Sequence, residues 1–193
     1  MPKYRVIKTL AFILLIEGCK IGYVKKENDF CQYRVIKNNM ILYKSLILIQ
    51  TKNNDTFKLK YSDSSYQAIY YLSSHRKFND FVVYNRKDTQ QLSFVGKRIY
   101  RLGKDNFDIY KYIENKGVTD GEFCLFWSPN YGILVERSNT WRNIRKLISS
   151  GREKQDDTIA ILCDIIFGDI DFYANEIPNS TIKFITPSVK KEQ

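Results

Sequence analysis

Through much of the chain, apolar residues fall at every second position. In FKLKY, Phe57, Leu59 and Tyr61 alternate with Lys58 and Lys60. A period of two puts the apolar side chains on one face of a strand and the lysines toward water. FDIYKYI at 107–113 alternates in the same way. MILYKSLILIQ at 40–50 predicts a long strand, entered through Asn38-Asn39 and left through the turn TKNND at 51–55. Residues 66–73 follow Asp63 and Ser64, which could cap a helix, but AIYYL favours a strand. Shorter strands are predicted at 81–84, 92–95 and 98–101. The strongest local signal is EFCLFWSPNYGILVERS at 122–138, where two β-rich runs flank Ser128-Pro-Asn-Tyr-Gly132. Pro129 suits the second turn position, Asn130 the third, and Gly132 accepts positive φ, so the segment predicts a hairpin.

After residue 138 the period changes. Trp141, Ile144 and Ile148 fall at i, i+3 and i+7, which predicts a short helix capped by Ser138 or Asn139 and ended by Gly151. Arg142, Arg145 and Lys146 point away from that stripe. A second helix, capped by Asp156 or Asp157, carries Ile159, Leu162, Ile165 and Ile166 on its inner face. TIKFI near the end adds an edge strand before a basic tail. The predicted fold class is therefore α+β: a mostly antiparallel sheet, a meander of hairpins, with one or two short helices near the C-terminus.

Length and composition refine this picture. The 193 residues suit one domain with a real core. Aromatic residues make up 15% of the chain and proline is scarce, as strands with packed aromatic faces require. The formal charge of +10 would attract an acidic polymer. The chain also has 23 isoleucines and only 4 alanines, a bias that AT-rich codons supply together with lysine. Its basic residues are spread out, with no run of five. That argues against nucleic acid as the partner.

The N-terminus carries a different signal. Lys3, Arg5 and Lys8 precede an unbroken apolar run at 10–16, and Ile16-Glu-Gly-Cys19 follows. The run is too short to span a bilayer, which needs about 20 residues. A basic stretch, a short apolar stretch and a small residue before a cut describe a secretory signal. Ile16, Gly18 and Cys19 make the segment resemble the lipobox of bacterial lipoproteins, with Glu17 standing where that pattern usually has a small or aliphatic residue. The resemblance implies a diacylglyceryl group on the Cys19 thiol, cleavage before Cys19 by a type II signal peptidase, and acylation of the new amine. Several acyl chains would anchor the chain stably. The organisation expected from this is a signal peptide at 1–18, a lipid-anchored tether at 19–31, one domain at 32–188 and a basic tail at 189–193. A competing reading keeps the segment as core, because YRVIK at 4–8 recurs at 33–37, where it looks like a strand. The closing hairpin and tryptophan, LFWSPNYGIL followed by TW, also resemble a segment of small, uncharacterised bacterial lipoproteins, a likeness that carries no activity with it.

Motifs for catalysis are missing. His75 is the only histidine and sits in a polar turn, with no nucleophile elbow to serve. Asp169-Ile-Asp171 lacks the third ligand and the glycine of a calcium loop, because Tyr173 and Ala174 occupy those places. There is no phosphate-binding glycine motif. No catalytic residue, metal ligand or cofactor is therefore assigned. Cys31, Cys124 and Cys163 allow one disulfide in three pairings outside the cytoplasm. Trp127 is expected in the core. Tyr131, Trp141, Arg142 and Arg145 form the candidate binding surface, since these residue types are enriched at hot spots.

The leading expectation is a lipid-anchored, extracytoplasmic protein that binds or builds without catalysing. It would be held to a membrane through Cys19 and meet a protein, peptide or glycan in the cell envelope. One alternative is a cytosolic inhibitor or antitoxin-like binding protein with an uncleaved N-terminus. A third is a hydrolase with unmarked carboxylates, signalled by two acids facing each other with one pKa raised.

Overall fold

A computed structural model describes residues 24–25, 29–37, 40–73, 80–118, 121–138, 143–174 and 184–185. The chain runs through β1 (Val24–Lys25), β2 (Asp29–Lys37), β3 (Met40–Asn53), β4 (Thr56–Ser62), β5 (Gln67–Ser73), β6 (Asp80–Tyr84), β7 (Asp88–Leu102) and β8 (Asp105–Glu114). It continues through β9 (Phe123–Ser128), β10 (Gly132–Ser138), β11 (Ile144–Ser149), the helices α1 (Glu153–Gly168) and α2 (Ile170–Ala174), and β12 (Phe184–Ile185).

From β2 to β11 each strand pairs with the next in antiparallel fashion, and β11 returns to pair with β2. These ten strands form a closed barrel. This corrects the expected α+β class with its open sheet. The helices are only 16 and 5 residues long and lie on the outside. The correct local periods could not reveal closure, because ring formation depends on stagger between strands distant in sequence. Two long strands supply that stagger. In β3, residues 40–48 pair with β2 and residues 47–53 with β4. In β7, residues 88–92 pair with β6 and residues 92–102 with β8, with a bulge between Phe94 and Gly96. The bulge bends one continuous strand where two shorter ones were expected.

Alternation decides what fills the barrel. Phe57, Leu59 and Tyr61 point inward as their period predicts, and Ala68, Tyr70 and Leu72 of β5 join them. On β8 and β9 both faces are buried, one inside the barrel and one beneath the helices. Ile159, Leu162, Cys163 and Ile166 make the buried stripe of α1, and Lys146 of β11 reaches Asp164 on that helix at 2.6 Å. Phe172 of α2 packs against the rings of Tyr100 and Phe126 on the outer wall.

Three further expectations fail. The segment expected as a first helix contains β11, the strand that closes the ring. Its Arg145 faces inward opposite Glu136, so a strand period passes for a helical one when an inward position is charged. Residues 29–31, placed in the tether, belong to β2. The N-cap of α1 is Arg152, and Asp156 instead accepts the backbone N–H of Ser150.

Candidate polar site in the barrel interior

The middle of the barrel is aromatic. Tyr33, Tyr61 and Tyr70 form a row of edge-to-face contacts with centroids 6.1 and 5.9 Å apart, a favoured arrangement for rings carrying a quadrupole. Tyr33 Oη donates to the Ile133 carbonyl at 3.0 Å, and the Ile133 N–H donates to Tyr61 Oη at 2.7 Å. Beside them Gly132 has φ +78°, and a Cβ there would meet Tyr61 Oη at 2.4 Å. Only glycine allows this wall to approach the tyrosine so closely. Farther along, the Trp127 ring stacks on Tyr110 at 5.0 Å and meets Phe57 at 5.1 Å. Trp127 is fully buried, as expected, yet its Nε1–H has no acceptor among the described residues.

A charged cluster lies at the end of the barrel where β4 turns into β5, β8 into β9 and β10 into β11. Glu136 and Arg145 sit opposite each other on β10 and β11 and form an ion pair, their side chains 17% and 14% exposed. The Arg145 guanidinium lies 4.9 Å over the Tyr33 ring. Tyr84 Oη donates to Glu114 Oε2 at 2.7 Å. The rings of Tyr66 and Tyr70 each lie 6.5 Å from that of Tyr84. Lys44 closes the rim, 4.0 Å over Tyr66 and 3.4 Å from Asp63.

The cluster changes the acidity of its members. Burial pushes the Glu114 carboxyl up to about 7, and the nearby Glu136 charge adds to this, while the Tyr84 hydroxyl and Arg145 oppose it. Burial works against the Arg145 charge, but Glu136 and the surrounding tyrosines hold it firmly protonated. Separately, burial raises Asp80 to about 6. Arg145 Nε has no acceptor among the described residues. A guanidinium paired inside the barrel, beside a carboxyl that changes charge near neutrality, can bind a polar group and respond to pH.

Of the expected surface residues, the structure describes Arg145 and Tyr131. Arg145 lies inside the barrel and not on an exposed helix face. Tyr131, expected to project from the hairpin tip, stacks on Phe107 with centroids 6.0 Å apart. Trp141 and Arg142 lie outside the described residues, as do Ile16, Gly18, Cys19 and His75. Cys31, Cys124 and Cys163 are buried, and burial raises the Cys163 thiol to about 12. Sequence reasoning missed Glu114, Glu136, Tyr66, Tyr70 and Tyr84. One signal was present: Glu114 ends the alternating run of β8 on its inward face.

No family model matches the chain, and no curated protein matches it.

Proposed function

We propose that this protein is a non-catalytic binding barrel that takes a small amphipathic molecule at the Arg145–Glu136–Glu114 end of its interior. The observation that carries this reading is the Arg145–Glu136 ion pair inside the barrel, its side chains 14% and 17% exposed, beside the Glu114 carboxyl. Ligand sites combine apolar and aromatic walls with a few convergent polar groups, and up-and-down barrels enclose such sites. Tyr33, Tyr66, Tyr70 and Tyr84 supply the wall, and Arg145 and Glu114 supply the polar ends. The lipobox-like segment adds display at a membrane through Cys19, in the cell envelope.

Mass spectrometry tests both parts. The full-length chain, expressed in a bacterium and recovered from its membranes, is expected to lack residues 1–18 and to carry acyl mass, both absent in Cys19→Ser. Under native conditions it is expected to hold a small molecule that Arg145→Leu releases. An apo mass for the wild-type chain, with no small molecule retained, overturns the binding reading.

One observation favours a second reading, hydrolysis. Glu114 is raised to about 7 near the Glu136 charge, and acid catalysis needs a carboxyl kept protonated beside one that stays ionised. Under that reading Glu114→Gln binds a substrate and fails to turn it over. Under the binding reading Glu114→Gln has no turnover to lose.

A further inference from the structure

The two halves of β3 differ in how their edges are used. On one side β2 pairs with residues 40–48 and β1 with residues 51–52. On the other side β4 pairs with residues 47–53 only. Among the described residues, no strand pairs with the β4-side edge of residues 40–46. The side chains there are apolar and open on both faces: Met40 is 58% exposed, Ile41 49%, Leu42 51% and Tyr43 65%. Phe30 and Ile47, paired across β2 and β3, continue the exposed apolar surface.

Natural sheets protect their edges with prolines, inward-pointing charges, bulges or covering elements. Among the described residues, none of these guards residues 40–43. A row of unused backbone donors and acceptors bordered by apolar side chains is the geometry onto which an extended peptide adds as a strand. An exposed patch of this kind marks an interaction site.

Charge selects the occupant. The sequence contains no acidic residue from 30 to 54, whereas Arg34, Lys37, Lys44 and Lys52 lie within that stretch. Arg34 pairs with Tyr43, and Lys37 pairs with Met40. Among the ion pairs of the described residues, Asp63 meets this stretch through Lys44. A second copy pairing through the same edge would bring Lys37 and Lys44 of both copies together. YRVIK at 4–8, the repeat of a β2 segment, is basic as well. Like charges across a strand pair are destabilising and opposite charges stabilising.

We propose that the free edge of β3, at residues 40–46, binds an extended acidic peptide by strand addition. The added strand sets its apolar side chains beside Ile41 and Tyr43 on one face and Met40 and Leu42 on the other. Its carboxylates meet Lys44 and Lys37. This edge lies outside the barrel interior and shares with the polar site there only Lys44, at the rim.

The test uses two capped heptapeptides as probes, one alternating Glu and Val and the other alternating Lys and Val. Binding is read by fluorescence anisotropy and by amide hydrogen exchange of the full chain. The Glu peptide is expected to slow exchange at residues 40–46, to bind more weakly as salt rises, and to lose about tenfold in affinity on Lys44→Glu. Ile41→Lys, at an exposed position, is expected to weaken binding without changing the unfolding midpoint. Equal binding of both peptides, or no protection by either, overturns the proposal. Protection without peptide also overturns it: if it grows with protein concentration the occupant is a second copy, and if it disappears on deleting residues 1–18 the occupant is the chain's own N-terminus.

Discussion

Two buried charge clusters lie on opposite faces of the same wall, and they are built differently. Outside, Asp169 sits between α1 and α2, 3.5 Å from Arg98, with both side chains under 5% exposed. Its carboxylate also accepts the Tyr100 hydroxyl at 3.1 Å and the Phe172 N–H at 3.2 Å. Lys111, buried beside it, donates to the Phe172 carbonyl at 2.8 Å and so caps the negative end of the last helical turn. Each charge there faces an opposite charge or a helix terminus. Inside, Arg145 faces Glu136 in a pair left 14% and 17% exposed, and Glu114 has a tyrosine hydroxyl and, among the described residues, no ion pair. The outer cluster clamps the helices to the barrel. The inner cluster is the less enclosed of the two and holds a carboxyl with a raised pKa, and perturbed groups of this kind concentrate at functional sites.

The largest effect expected is from Asp169→Ala. It removes the carboxylate paired with Arg98, and breaking a fully buried pair costs about 3–5 kcal/mol. Urea unfolding checks this. Arg145→Leu is expected to cost clearly less, because its pair is partly exposed. The double change Arg145→Leu with Glu136→Leu is expected to be neutral or stabilising. A double variant as unstable as Asp169→Ala would show that the inner cluster is a clamp too.

Gly132→Ala comes next. Its Cβ would displace the Tyr61 hydroxyl from a backbone with φ +78°, and overpacking of this kind costs about 1–3 kcal/mol. Tyr61→Phe leaves the Ile133 N–H without its buried acceptor, a loss of about 1–3 kcal/mol. Both are read from thermal and urea midpoints, and both leave the outer clamp intact.

A further expected effect is on pH dependence. Glu114 has its folded pKa raised from 4.5 to about 7. The folded chain therefore binds more protons than the unfolded chain between those values, and stability falls as pH rises through that window. Below about 4.5 the proton is bound in both states and the contribution is fully present. Glu114→Gln is expected to flatten the slope up to pH 7, whereas Asp80→Asn flattens it only up to about 6. An unchanged slope in Glu114→Gln would place the raised proton elsewhere.

Much of the wall was legible in the sequence, because a strand with one buried face writes a period of two into its residues. FKLKY and the turn Ser128–Gly132 were read correctly for that reason. The site was less legible. Glu114, Glu136 and Arg145 lie 22 and 9 residues apart along the chain and carry no motif. They become neighbours only because β8, β9, β10 and β11 are laid side by side. Arg145 was also misplaced, since a charged residue in an amphipathic pattern reads as solvent-facing, and only burial with Glu136 makes the inward position tolerable.

The sequence by itself determined the strands, the turns that join them and the apolar stripe of α1, because these depend on neighbours within a few residues. Tertiary structure decided that the sheet closes, that residues 144–149 are a strand, and that one edge of β3 stays open. Closure and edges depend on register between distant strands, and local pattern holds no information about that.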